Sequence, residues 1–249
     1  MKEPVAEFNS GIHLIVSYYN NSDYSKERHQ EIADVLNRNI QNQLIDYLHL
    51  IVEGEFNPAL VFSPVSSMFL KKLVVRKVDS QPTYQYFFDY ANLALARGTV
   101  AIISNSDILF DSSLGCLRQV NAISNPIVYF GTKRLVLGLS RQPSKCHPTE
   151  YNECRQYRGS HDAFIFAPPL IGSFINQVDF VQNMLGAENR VLYLLRKMSY
   201  RLSNPCSVVK ITHAHCTPNS RKVSRLASRG SRFASVDPLS VFKCGDVIY

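Results

Sequence analysis

Val100-Ala101-Ile102-Ile103-Ser104-Asn105-Ser106-Asp107-Ile108-Leu109-Phe110-Asp111 is the stretch on which the fold turns. Its first four residues are apolar without alternation, the pattern of a strand buried on both faces. Polar residues then lead to a carboxylate at Asp107, with a second at Asp111. In open α/β sheets, ligands bind beyond the carboxyl ends of the strands. A hard cation such as Mg2+ or Mn2+ takes oxygen ligands, commonly one or two carboxylates together with substrate phosphates. Asp107 therefore stands where a metal–diphosphate site would be built; the competing reading is an aspartate that caps the following turn.

Composition fits that reading. The 249 residues are 45% hydrophobic and 19% charged, which excludes wholesale disorder and most simply makes one α/β domain. The net charge of +7 favours anionic ligands without choosing among them. Six cysteines show no C-x-x-C pair. Their even number permits disulfides without implying them. A zinc site from Cys146, His147 and Cys154 lacks a fourth ligand. The first residues carry no apolar signal core and no apolar run is long enough to cross a bilayer, so the expected setting is reducing and cytoplasmic.

Outward from the opening stretch, Ile12–Tyr19 and Tyr47–Val52 read as buried strands. Between them, Ile32, Val35, Leu36 and Ile40 recur at helical spacing. A strand–helix–strand unit of this kind is expected to be parallel with a right-handed crossover. Residues 56–70 carry Pro58 and Pro64 and read as a loop with a short helical turn, before a strand at Leu73–Val75. Thr83 is placed to cap a helix ending near Gly98. Further strands are expected at 134–140 and 208–211, and Asp162 stands beside an apolar run at 163–166, where a raised pKa would suit a general base. A helix opens at Gly186, with Val191, Leu194, Leu195, Met198 and Leu202 on its apolar face. Alternate residues on a strand share a face, so His213 and His215 are expected at one site. Arg221, Lys222, Arg225, Arg229 and Arg232 make the C-terminal segment the most basic part of the chain. It is read as solvated, as closing over a diphosphate, or as contacting an acidic membrane surface.

The order of these parts resembles the GT-A-fold nucleotide-sugar glycosyltransferases. The likeness is carried by the Ile12–Tyr19 strand, by Ser104–Asp111, by Gly159-Ser160-His161-Asp162-Ala163-Phe164-Ile165-Phe166 and by Gly186-Ala187-Glu188-Asn189-Arg190. Asn204-Pro205-Cys206, followed by His213-Ala214-His215 and Arg221, completes it. It implies a Rossmann-like, mixed and mostly parallel central sheet flanked by helices. Residues 1–222 would form the catalytic domain, with 223–249 as a basic segment, mobile or packed on it.

The resemblance also implies roles. Asn105-Ser106-Asp107 is similar to the Asp-x-Asp metal motif with asparagine in first place, so Asp107 is the expected ligand of Mn2+ or Mg2+, completed by His215 or His213. Ser17, Tyr18, Tyr19, Glu53 and Asn105 would face the nucleoside, and Arg221 the diphosphate. Asp162 would deprotonate the acceptor hydroxyl, with Glu188 as the competing base. The implied reaction is metal-assisted, inverting transfer of a sugar from a nucleoside-diphosphate sugar, UDP-linked rather than GDP-linked, to a carbohydrate or glycoconjugate hydroxyl. The alternatives are a nucleotidyltransferase, or a catalytically silent nucleotide- or carbohydrate-binding module. No glycine-rich phosphate loop or helix-turn-helix pattern points to nucleic acid.

Overall fold

Alternation within the strands builds the architecture, because it gives the sheet two apolar faces. The computed structural model describes residues 7–19, 24–63, 65–120, 135–142, 154, 161–182, 184–217 and 234–237. The chain opens with β1 (Ile12–Tyr19), α1 (Lys26–Gln41) and β2 (Tyr47–Glu53). Two short helices, α2 (Pro58–Val61) and α3 (Ser67–Leu70), precede β3 (Leu73–Val78), α4 (Tyr84–Ala94), β4 (Val100–Ser104) and β5 (Ile108–Phe110). Then come α5 (Gly115–Val120), β6 (Leu135–Leu139), β7 (Ala163–Phe166), α6 (Gly172–Ile175), α7 (Ala187–Lys197), β8 (Arg201–Ser203) and β9 (Ile211–His213).

Seven strands form one sheet in the order β3-β2-β1-β4-β7-β6-β8. Pairings among β3, β2, β1 and β4 are parallel, β7 runs against both its neighbours, and β8 is parallel to β6. This is the mixed, mostly parallel sheet flanked by helices that the sequence predicts. Leu14, Leu48, Leu50, Ile102 and Ile165 point to one face and pack with Ile32, Leu36 and Ile40 of α1. Ile15, Ile51, Ile103, Phe164 and Phe166 point to the other and pack with Phe87 and Phe88 of α4 and Val191 and Leu195 of α7. Helix starts follow local chemistry: Ser25 accepts from Arg28 N ahead of α1, and Thr83 accepts from Tyr86 N ahead of α4.

Two expectations are corrected. The last helix stops at Lys197, and Ser199 takes a positive φ of 63°. Leu202 therefore belongs to β8 rather than to the helix face. The final strand is Ile211–His213 rather than 208–211, and it lies outside the main sheet, antiparallel to β5. Val208 N and Val209 N instead bond Pro205 O in a turn, at 2.9 Å each. The β5–β9 ribbon is fastened to α1 by Asn39, whose amide donates to Ile108 O at 2.8 Å and accepts from Phe110 N at 3.1 Å.

Cys154 and Cys206 form a disulfide with each other, and Cys116 and Cys216 are each disulfide-bonded too. The bond removes Cys154 from any zinc site. Cys146 and His147 lie outside the described residues. No described helix is long and apolar enough to cross a membrane.

A directional hydrogen-bond chain runs through the interior. His13 Nε2 lies 2.8 Å from Ser10 O and must donate to it; His13 Nδ1 then accepts from His49 Nε2 at 2.9 Å. His49 Nδ1 in turn accepts from the Tyr90 hydroxyl at 2.7 Å. Every donor has an acceptor only while both rings are neutral. Burial pushes the His49 pKa down to about 3, with the neighbouring His13 and Arg76 adding to it, and burial lowers His13 too. Between about pH 6.5 and 3 the unfolded chain therefore binds protons that the fold refuses. Stability should drop as pH falls through this window, at up to about 1.4 kcal/mol per pH unit for each such histidine. Urea midpoints between pH 7 and 4 should fall less steeply in His49→Gln than in wild type; parallel slopes would remove His49 from the acid response.

Candidate functional site

Strand direction gathers the polar residues at one edge of the sheet. The parallel strands β1, β2 and β4 finish side by side, with Tyr19 opposite Glu53 and Val16 opposite Ser104. Asn105, Ser106 and Asp107 follow at that edge. Because β7 is reversed, it begins where the others end: Ala163 pairs with Ser104, so Asp162 arrives beside the Asp107 turn. β6 ends there as well, with Leu139 opposite Ala163, delivering Ser140 and Arg141. The β5–β9 ribbon supplies the histidines, since Ile108 pairs with His213 and Ala214 N donates to Asp107 O at 2.9 Å.

At the centre, Asp107 Oδ2 accepts from Arg28 Nη2 and lies 3.1 Å from His213 Nε2 and 3.8 Å from His215 Nδ1. Burial alone would raise the Asp107 pKa; the charges and hydrogen bonds of His213 and Arg28 outweigh it and hold the carboxyl well below the usual range. Its second oxygen, Oδ1, is buried and has no hydrogen-bond partner among the described residues. An oriented, ionised carboxylate with a bare oxygen fits a cation. The ligand atoms of Asp107, His213 and His215 all lie within 4.8 Å of one another. One carboxylate with two imidazoles suits Mn2+ or Zn2+ better than Mg2+, which prefers oxygen.

Arg141 links this cluster to a second one. Its Nη1 lies 3.1 Å from His213 Nδ1 and 3.8 Å from Asp162 Oδ1. A guanidinium only donates, so this contact suits a neutral His213 with its proton on Nε2, while Asp107 raises the His213 pKa and favours the charged ring. To ligate a cation through Nε2, His213 would carry its proton on Nδ1 and give up the Arg141 contact. Glu188, in the first turn of α7, sits near Asp162: burial pushes its pKa up to about 8, and the Asp162 charge adds to the rise. Asp162 thus has the Arg141 guanidinium beside it, whereas Glu188 holds its proton at neutral pH. His161 is fully buried beneath them and bonds Val236 O at 3.3 Å. A Cβ on Gly138 would stand 3.0 Å from its ring, so glycine leaves the room it occupies.

Of the residues named from sequence, Asp107, His213, His215, Asp162 and Glu188 form one continuous cluster. Ser17, Tyr18, Tyr19, Glu53 and Asn105 line the adjoining strand ends. Ser17 Oγ donates to Gln182 Oε1 at 3.2 Å, and Tyr18 meets Phe56 edge-on. Arg221 lies outside the described residues. Sequence reasoning missed Arg28 and Arg141, whose contacts are made to residues far along the chain.

No protein-family model matches the chain, and neither does any curated protein. Among solved structures it is similar to the mannosyltransferase PcManGT from Pyrobaculum calidifontis, solved with GDP-Man and Mn2+, at 13% identity and a TM-score of 0.47. That match covers 82% of this chain, which spans only 56% of the mannosyltransferase. It is also similar to 4-diphosphocytidyl-2C-methyl-D-erythritol synthase from Anaerococcus prevotii (15% identity, TM-score 0.44, 82% of this chain and 91% of the other). A third is the inositol-1-phosphate CTP transferase from T. maritima (11% identity, TM-score 0.43, 78% and 85%). At these scores and identities, the likenesses add nothing to the chemistry read from the side chains.

Two expectations follow from the geometry. The raised Glu188 pKa means that the folded protein binds one proton more than the unfolded chain between the ordinary carboxyl range and about pH 8, so stability declines as pH rises through that window. Glu188→Gln should gain melting temperature relative to wild type at pH 8 but not at pH 5; an equal gain at both would show no retained proton. The disulfide closes a separation of 52 residues and flanks Arg141, whose carbonyl accepts from Cys154 N at 2.8 Å. The Cys154→Ala, Cys206→Ala double variant should lose about 2–4 kcal/mol in denaturant titrations.

Proposed function

We propose that the chain is a nucleotide-sugar-dependent glycosyltransferase. The observation that supports it most is the pairing of two clusters across Arg141: a carboxylate–imidazole group suited to a divalent cation, and a carboxyl pair of which Asp162 faces the guanidinium and Glu188 keeps its proton. Asp107, His213 and His215 would hold Mn2+. When bound, that ion would neutralise the charge that builds on a leaving diphosphate. Ser17, Tyr18, Tyr19 and Glu53 would receive the nucleoside and Asn105 the ribose, while Arg221 is assigned to the diphosphate from sequence.

Asp162 is the base in this reading and Glu188 is not, because a base must be without its proton at working pH. Asp162 takes the proton from the acceptor hydroxyl as that oxygen attacks the anomeric carbon. Glu188, still protonated, donates a hydrogen bond that orients the acceptor. Attack opposite the leaving diphosphate inverts the anomeric centre. The acceptor is a carbohydrate or glycoconjugate hydroxyl. The buried disulfide favours an oxidising compartment over the cytoplasmic setting expected from sequence.

Thermal shift with UDP-sugars, GDP-sugars and the free diphosphates, each with and without Mn2+, tests the donor. Stabilisation by a sugar nucleotide that needs Mn2+ and vanishes in Asp107→Ala is expected. Asp162→Asn should keep that stabilisation while transfer, or donor hydrolysis in place of an acceptor, falls by about 10²–10⁴-fold. Equal turnover in both proteins would take Asp162 out of the mechanism. Pyrophosphate release from a nucleoside triphosphate and a sugar phosphate would replace glycosyl with nucleotidyl transfer.

A further inference from the structure

Asp107 offers one negative charge, and Asn105 adds none where a second carboxylate would stand. Yet Oδ2 of Asp107 already carries the Arg28 guanidinium, with His213 and His215 close by. A guanidinium and a divalent cation on the same carboxylate repel one another, and Asp107 and Glu31 together bring two negative charges against their three positive ones. Arg28 is held from its other arm too. Nη1 donates to Glu31 Oε2 at 3.1 Å, and Glu31 is fixed in place by Cys216 N at 2.8 Å, Thr217 N at 2.9 Å and Thr217 Oγ1 at 2.7 Å. Glu31 thus anchors the arginine whether or not Asp107 is engaged. The arginine is nearly buried, its side chain 13% exposed, and it stands beside the site rather than in solvent.

We propose that Arg28 is an exchangeable counter-ion. It neutralises Asp107 while the site is empty of metal, and it yields that carboxylate to a divalent cation only when a diphosphate is present to receive its freed arm. This rests on the metal–diphosphate reading above and adds a coupling to it. The two cations find enough negative charge only together with the diphosphate, so metal alone binds weakly and metal with diphosphate binds well. Glu31 serves as the pivot, keeping Nη1 in place while Nη2 turns from Asp107 to a phosphate oxygen.

Direct titration with Mn2+ alone, and with UDP in saturating Mn2+, tests this on wild type and Arg28→Met. The variant should bind Mn2+ alone at least tenfold more tightly than wild type, and UDP in the presence of Mn2+ at least tenfold more weakly. Equal or weaker Mn2+ binding by the variant overturns the exchange, as does unchanged UDP affinity. If Arg28→Met does not fold, Arg28→Lys replaces it, since one ammonium cannot bridge Glu31 and Asp107 as the fork does. Its Mn2+ affinity should rise at least threefold, and no rise overturns the proposal. Failure of both wild type and variant to bind Mn2+, with or without UDP, would sink the metal reading itself and the exchange with it.

Discussion

The pairing of β5 with β9, three residues against three, is the contact on which the candidate site depends. Asp107 directly precedes one strand and His213 ends the other. Antiparallel register sets these two ends together although 106 residues separate them in the chain. So short a ribbon does not hold itself together. Asn39 and Asn42 bond it from α1, and Gln142 N bonds Ile211 O at 2.7 Å from the segment after β6. The helix that carries Arg28 into the site therefore also fixes the strands that carry Asp107 and His213. Packing and chemistry share one element.

The main sheet contributes through direction rather than contact. Parallel strands all finish at the same edge, and the reversed β7 starts there, so one geometric rule brings Tyr19, Glu53, Asn105, Arg141 and Asp162 together from five strands. Reversal matters most for Asp162. Were β7 parallel to β4, the same residue would open the strand at the opposite edge, far from Asp107. The electrostatics follow from this crowding. Arg28 and His213 keep Asp107 charged in a buried setting and Arg141 stands beside Asp162, whereas burial leaves Glu188 with its proton.

What the sequence made legible was what periodicity and turn chemistry encode. Val100–Ile103 is apolar without interruption and Ile12–Tyr19 is broken only by His13 and Ser17, because both faces of the sheet are covered, and Thr83 caps as its side chain permits. β8 and β9 were not legible, because three residues carry no period and their pairing is decided by distant partners. Val208-Val209 looks more strand-like than Ile211-Thr212-His213, yet it turns under Pro205. Arg28 and Asn39 stand at helical spacing with Ile32 and Val35, as polar interruptions of the apolar face of α1. Only the fold shows that the same face meets the β5–β9 ribbon. Cysteine pairing was equally hidden, since spacing along a chain does not report distance across it.

Asn39 has one more effect. A strand as short as Ile108–Phe110, paired along a single side, would leave a row of unmatched amide and carbonyl groups on the other, a template onto which a foreign extended segment can add. The side-chain amide of Asn39 imitates a neighbouring strand there, meeting the carbonyl of Ile108 and the amide of Phe110. That edge of β5 is thereby closed to a further strand and kept from seeding self-assembly along its flank.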